Sequence, residues 1–273
     1  SYTNDHLSEN NPEKQLMVFI TGKCNLNCAY CFSNDLAPKD VSLSAFEVIV
    51  NWAASNDISG ITLCGGEPTA HKNFNDLLFI LKKYGYRTYF ASNFTIDNAL
   101  ADHFTKDVIS KIFIHLTDYT LENPLLKDIL FSNIAHSKQQ GIDLTIRTNI
   151  TNKNPPMDEW FDIMKATNIP YLNVALTFPA KNANNRFIDA ESFIEYAPII
   201  KQLIQRAGEN GVFLSFAKPI PLCIFDKDTQ HFLLSDRRFH PICGIHYEKC
   251  TYNVCITPEM NMHPCLGLTG SSL

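Results

Sequence analysis

Three cysteines stand close together in Cys24-Asn25-Leu26-Asn27-Cys28-Ala29-Tyr30-Cys31, just beyond an apolar, β-rich run, where a loop could curl around a metal centre. Three thiolates can hold three corners of a cubic four-iron four-sulfur cluster and leave the fourth iron open. Zinc, or three unrelated thiols, is what the spacing alone also admits. A second group, Cys243, Cys250, Cys255 and Cys265, lies near the end of the chain. These thiols also suit a metal, with zinc the competitor because His246 and His263 fall among them. Between the two groups, Ile61-Thr62-Leu63-Cys64 runs into Gly65-Gly66-Glu67-Pro68. Paired glycines at a strand end let backbone approach a ligand, and a carboxylate beside them suits a cation. Arg147, within Thr145-Ile146-Arg147-Thr148-Asn149, puts a charge in an apolar run; pointing inward, it requires an acidic partner. Cys64 reads as a small buried hydrophobe, and His71 as a satisfied histidine.

The elements that must position these groups alternate short β-rich runs with longer helical patterns, as βα units do. Strands are expected at Leu16–Thr21, Ile61–Cys64, Tyr86–Ala91, Lys111–Leu116, Asp143–Asn149 and Tyr171–Leu176. Helices are expected near Leu43–Ser55, Phe74–Lys83, Asn123–Gln140, Pro156–Lys165 and Ala190–Gly208. The fold class is therefore α/β, an open, partial (β/α)6 TIM-like barrel, with the cysteine loop and Gly65-Gly66 at the strand ends where such barrels collect their active sites. One further run, Val212–Ala217, leads into Lys218-Pro219-Ile220-Pro221, whose prolines cannot donate to a central sheet. This divides the chain into an extension at 1–15, a barrel at 16–217 and a small cysteine-rich extension at 218–273, with a short hairpin expected from Asn253 to Pro264.

The chain has 273 residues, 45% hydrophobic and 19% charged, with a net charge of -5 and a pI near 6.0. Such a balance argues against a surface made to neutralise phosphates, so a nucleic-acid partner is not expected. No stretch approaches the roughly 18 apolar residues of a membrane span, and Ser1 to Gln15 lack the apolar core of a signal peptide. A cytoplasmic location follows, in which nine cysteines serve metal or catalysis better than disulfides.

With these residues in place, the chain resembles the radical S-adenosylmethionine (SAM) superfamily. Its CxxxCxxC spacing, with aromatic Tyr30 and Phe32 beside the last cysteine, is that family's defining motif. The resemblance implies a cluster on Cys24, Cys28 and Cys31 whose open iron chelates SAM, and a one-electron cleavage giving a 5′-deoxyadenosyl radical. It implies SAM-binding roles for Tyr30, Phe32, Gly65, Gly66 and Glu67. Ser92-Asn93-Phe94-Thr95 is similar to the family's Thr-Asn-Gly-Thr, with Phe94 for the glycine, and makes Asn93 a SAM candidate. Arg147 is a candidate for the SAM carboxylate. His115-Leu116-Thr117-Asp118 departs from the family's Ser-Leu-Asp-Gly, leaving Asp118 as either a shifted substitute or a turn residue.

The C-terminal cysteines resemble the auxiliary-cluster segment of members with a SPASM or twitch domain, although Met260 replaces the usual turn glycine. That resemblance implies an auxiliary [4Fe-4S] cluster on Cys243, Cys250 and Cys265, completed by Cys255 as the nearest thiol, with Cys223 or an open iron as the alternatives. It points to oxidation or crosslinking of a ribosomally made peptide, with small-molecule dehydrogenation as the alternative and a non-catalytic electron-transfer module as a third reading. An external one-electron donor such as a flavodoxin is implied with it. The region before the first strand is short for a leader-recognition domain, which weighs against a peptide without excluding a leader bound elsewhere.

Overall fold

The computed structural model describes residues 14–31, 33, 36–177, 179, 185–189, 191–217, 220, 222–235 and 254–263. Phe32, Cys243, Cys250 and Cys265 lie outside them. Seven strands pair side by side and all parallel: β1 (Gln15–Thr21), β2 (Gly60–Gly65), β3 (Arg87–Ser92), β4 (Lys111–His115), β5 (Asp143–Ile150), β6 (Tyr171–Leu176) and β7 (Phe213–Phe216). The helices between them are α1 (Leu43–Ser55), α2 (Phe74–Lys83), α3 (Asn98–Ala101), α4 (Asp118–Glu122), α5 (Pro124–Gln139), α6 (Met157–Thr167) and α7 (Ala197–Glu209), followed by α8 (Lys227–Ser235). Local chemistry sets several starts: the Ser42 hydroxyl accepts from the Ala45 amide at α1, and Asn123 caps the Leu125 amide ahead of Pro124 at α5. The expected helix over Ala190–Gly208 instead comes as a 3-10 turn, Ser192–Tyr196, and then α7, which carries a proline in its first turn.

Apolar burial explains the layers. On β4, Ile112 and Ile114 are buried while Lys111, Phe113 and His115 are only partly so, and the same alternation runs along β6. The fully apolar face belongs to one large core with the helices, where Phe46, Phe74, Phe90 and Trp160 are buried. The other face supplies Phe19, Cys64, Ala91, His115 and Asn149 to a single cavity, so the sheet curls around it in the sense of a partial barrel.

The described part of the C-terminal segment adds two strands to the main sheet. The two expected short strands exist, β8 (Val254–Ile256) and β9 (Met262–His263), but β8 pairs in parallel with β1, giving the sheet order β7-β6-β5-β4-β3-β2-β1-β8-β9. Ile220, Phe225 and Leu233 also belong to the same core as the strands, so the described part of 218–273 continues the barrel's packing. The turn between β8 and β9 keeps a glycine-like conformation without glycine: Met260 has φ 67°, and its amide donates to the Thr257 carbonyl.

Candidate active site

The cysteine loop leaves β1 at a register shift: Phe19 pairs with Cys64, but Thr21 pairs with Gly65. Cys24, Cys28 and Cys31 line one cavity of about 210 Å³ together with Tyr30, Gly65, Gly66, Asn93, His115 and Arg147. The loop is tied down from many sides. Glu67 N donates to Lys23 O at 2.8 Å, Tyr119 Oη to Asn27 O at 2.9 Å, Arg186 N to Ala29 O at 2.8 Å and Asn185 Nδ2 to Tyr30 O at 3.1 Å. Asp40 accepts from Thr21 Oγ1 and from Lys23 Nζ at the loop's start.

The glycines also serve the packing of the loop. A Cβ on Gly65 would stand 2.4 Å from Thr21 O, and one on Gly66 would stand 2.4 Å from Lys23 O and 3.0 Å from Cys24 Cβ. Their bareness lets the end of β2 lie against the cysteine loop, and through that contact they reach the cavity wall.

Glu67 is held by the neighbouring strand end. Its side chain is 2% exposed and does not line the cavity; it accepts from Thr69 N, Thr69 Oγ1, Ser92 Oγ and Asn93 N, the last at 2.9 Å. Burial raises its pKa, and these hydrogen bonds oppose the rise. In this arrangement the carboxylate joins the ends of β2 and β3.

Arg147 and His115 face each other across β5 and β4 and both line the cavity. The Arg147 guanidinium stacks 3.8 Å from the Phe113 ring centre, its Nε is buried without a hydrogen-bond partner, and among the described residues no salt bridge includes it. Burial lowers its pKa to about 10. His115 Nε2 lies 3.4 Å from both Tyr30 Oη and Asn149 Nδ2, and burial, with the Arg147 charge, lowers the imidazole to about 4, so it is neutral near pH 7. Burial also pushes the Cys28 thiol up to about 11 and raises Cys24 and Tyr30.

Other candidates fall elsewhere. Thr117 caps α4, and Asp118 is exposed in that helix's first turn. Cys255 is 0% exposed on β8, packed with Phe19 and Cys64, and stands opposite His263 in the β8–β9 register. Cys223 is exposed. Among the described residues no three His, Cys, Asp or Glu side chains converge on a single metal ion; Cys243, Cys250 and Cys265, expected beside Cys255, lie outside the described residues. His71 is satisfied as expected, its Nδ1 accepting from Asn73 N while Nε2 meets Val41 O. Sequence reasoning missed Asn25, Ser92, Thr95 and Asn149. Only Ser92 and Thr95 carried a signal, as the polar neighbours of Asn93.

A parallel α/β sheet curled around a cavity, with three cysteines on the loop after its first strand, defines the class of protein. Residues 18–216 match the Radical SAM superfamily, and the chain belongs to that family. Its curated relatives include a probable GTP 3′,8-cyclase of Pyrococcus horikoshii, 26% identical over 188 residues that cover 64% of this chain and 60% of that protein. An Fe-coproporphyrin III synthase of Methanosarcina barkeri is 24% identical over 60% of this chain and 45% of that protein. Similar folds include Streptococcus suis SuiB bound to its precursor peptide SuiA, with TM-score 0.68 and 15% identity over 95% of this chain and 61% of that one. Another is anSMEcpe with AdoMet and the Kp18Cys peptide, with TM-score 0.62 and 14% identity over 93% and 74%. The chain thus spans 60% of the length of the cyclase and 61% of SuiB.

Family membership implies a [4Fe-4S] cluster and SAM. The residues present fit both: three thiols line one cavity, and Arg147, whose Nε has no hydrogen-bond partner among the described residues, lines it with them. Among the described residues no helix is long and apolar enough to cross a membrane.

Proposed function

We propose that this chain is a radical SAM enzyme that reductively cleaves SAM, abstracts a substrate hydrogen and oxidises or crosslinks a ribosomally made peptide. The observation that carries this reading is the presentation of Cys24, Cys28 and Cys31 to one cavity with Gly65, Gly66 and Arg147. When bound, the cluster and SAM supply a 5′-deoxyadenosyl radical by one-electron cleavage of a carbon–sulfur bond. The three thiolates hold three irons, and Arg147 takes the SAM carboxylate, a match its fork geometry favours. Tyr30 and Phe113 add aromatic rings to the cavity wall.

A peptide is the first substrate to try because SuiB and anSMEcpe, which share the fold, were captured with peptides. A small molecule is the second reading, supported by the curated relatives named for a nucleotide and a porphyrin. An auxiliary cluster on Cys243, Cys250 and Cys265, with Cys255 as the nearest candidate for its fourth ligand, belongs to the same proposal. A flavodoxin-like donor and a cytoplasmic location complete it.

Anaerobic reconstitution, followed by dithionite and SAM, tests the reading. The wild-type chain is expected to form 5′-deoxyadenosine, and the Cys24/Cys28/Cys31→Ala variant none. Iron should fall from about eight to about four per chain in that variant if the auxiliary cluster exists. Iron-loaded protein that leaves SAM intact under reduction overturns the catalytic reading in favour of an electron-transfer module.

A further inference from the structure

We propose that Asn25 and Asn93 form an amide clasp that positions Cys24, and that Asn93 works through this clasp rather than as a ligand of SAM. The inference rests on the radical SAM reading of the cysteine loop.

An asparagine side chain has two N–H donors and one oxygen with two lone pairs. Both lone pairs of Asn93 Oδ1 are engaged, by Thr95 N at 3.0 Å and Thr95 Oγ1 at 2.6 Å. Asn93 Nδ2 donates to Asn25 Oδ1 at 2.8 Å. Asn25 completes the ring, its Nδ2 donating to Thr95 Oγ1 at 3.2 Å and Thr95 O at 3.3 Å. Asn25 itself is exposed, so the anchoring end of the clasp is the buried pair, Asn93 and Thr95.

The residues on both sides of Cys24 are thereby fixed. Lys23 is held by the Glu67 amide, and Asn25 by Asn93. The two ties converge, because the Glu67 carboxylate also receives the Asn93 amide. One buried acid thus links the ends of β2 and β3, and both ends grip the loop around one thiol. A thiolate that must meet one corner of a preassembled cluster needs this fixed placement, and groups that orient a ligand commonly change metal affinity by about 10- to 100-fold.

The test measures iron loss from the reconstituted full chain to a ferrous chelator with SAM absent, and separately the KM for SAM. Asn25→Ala and Asn93→Ala are each expected to speed iron loss by about tenfold. The double variant should lose iron no more than about twofold faster than either single variant, since both break one contact. Thr95→Val, a milder change, should fall between Asn93→Ala and wild type, and Thr95→Ser should restore the wild-type rate. KM for SAM should stay within about threefold in all of them, less than the loss of one charge-assisted hydrogen bond would produce. An Asn93→Ala chain that holds iron like the wild type but needs tenfold more SAM overturns the proposal, as do Asn25→Ala and Asn93→Ala effects that multiply. A wild-type chain that takes up no cluster overturns the radical SAM reading and the clasp with it, an outcome distinct from either of these.

Discussion

Gly66 lies against the backbone of Lys23 so closely that a Cβ would stand 2.4 Å from the Lys23 carbonyl oxygen. The obstructing atoms are backbone, and Lys23 is itself held by the Glu67 amide, so the contact has little room to yield. Gly66→Ala is expected to cost about 1 to 3 kcal/mol, in the range of overpacked sites. Thermal unfolding of the apo-protein should show a drop of about 2 to 8 °C, and iron uptake should fall with it. Unchanged melting and iron content would show that the loop can move aside.

Arg147 should trade stability against ligand binding. Its guanidinium lies on a phenylalanine face with a buried Nε that has no partner among the described residues, which disfavours the charge in the unliganded chain. Arg147→Met is expected to raise the apo-protein's stability by about 1 kcal/mol and the KM for SAM by at least about tenfold. Chemical denaturation and SAM titration check the two halves independently. A destabilised variant with normal KM would make the residue structural.

His115 makes stability depend on acidity in a defined window. Its imidazole is lowered from an ordinary 6.5 to about 4, so as pH falls through 6.5 the unfolded chain takes up a proton that the folded chain refuses until about 4. Stability is therefore lost on acidification across that window, and this residue withdraws little above it. Urea unfolding at about pH 7 and about pH 5 should show the wild type losing about 1 to 2 kcal/mol more than His115→Gln, allowing for partial solvent access. Equal losses in the two proteins would contradict a buried, neutral imidazole.

Cys28 should be a slow nucleophile until metal arrives. With its thiol raised to about 11 from 9.0 by burial, the thiolate fraction near pH 8 drops about a hundredfold relative to an ordinary cysteine. Alkylation of the apo-protein followed by mass spectrometry should label the exposed Cys223 first, and labelling of Cys28 should keep accelerating up to about pH 11. Prompt labelling of Cys28 at neutral pH would mean that the loop opens in the apo-protein.

Much of this architecture was legible in the residues because periodicity reports burial. Helices α1 and α2 have the bounds that the apolar pattern indicates, and six of the seven parallel strands fall where expected, β7 following from the run after Gly211. The cysteine loop was legible from its spacing together with the preceding strand and the Gly65-Gly66-Glu67 segment. Three features were not. Val254–Ile256 is too short to show a period, and its partner β1 lies at the other end of the sequence, so nothing local places it in the barrel sheet. Glu67 reads as a ligand beside two glycines, yet its direction is set by Ser92 and Asn93 on another strand. Asn25, Thr95 and Asn149 are polar residues at strand ends and in loops, where pairing across the barrel decides their role. Phe94 shows the limit of reading by substitution. It replaces a glycine but keeps the glycine's backbone at φ 60°, and its ring is buried in stacked contact with Phe104.

The pairing of β8 with β1 carries a consequence for biogenesis. Leu16 is among the first described residues a ribosome would release, and Val254, its neighbour in the sheet, is among the last. Until Val254 has been made, the edge of β1 lacks its β8 partner, the kind of open edge that recruits other chains. Closing it requires a contact between distant parts of the sequence, which topology makes slow. A nascent chain stalled before Val254 would therefore present an adhesive strand directly beside its cysteine loop, and the late arrival of three residues ends that exposure.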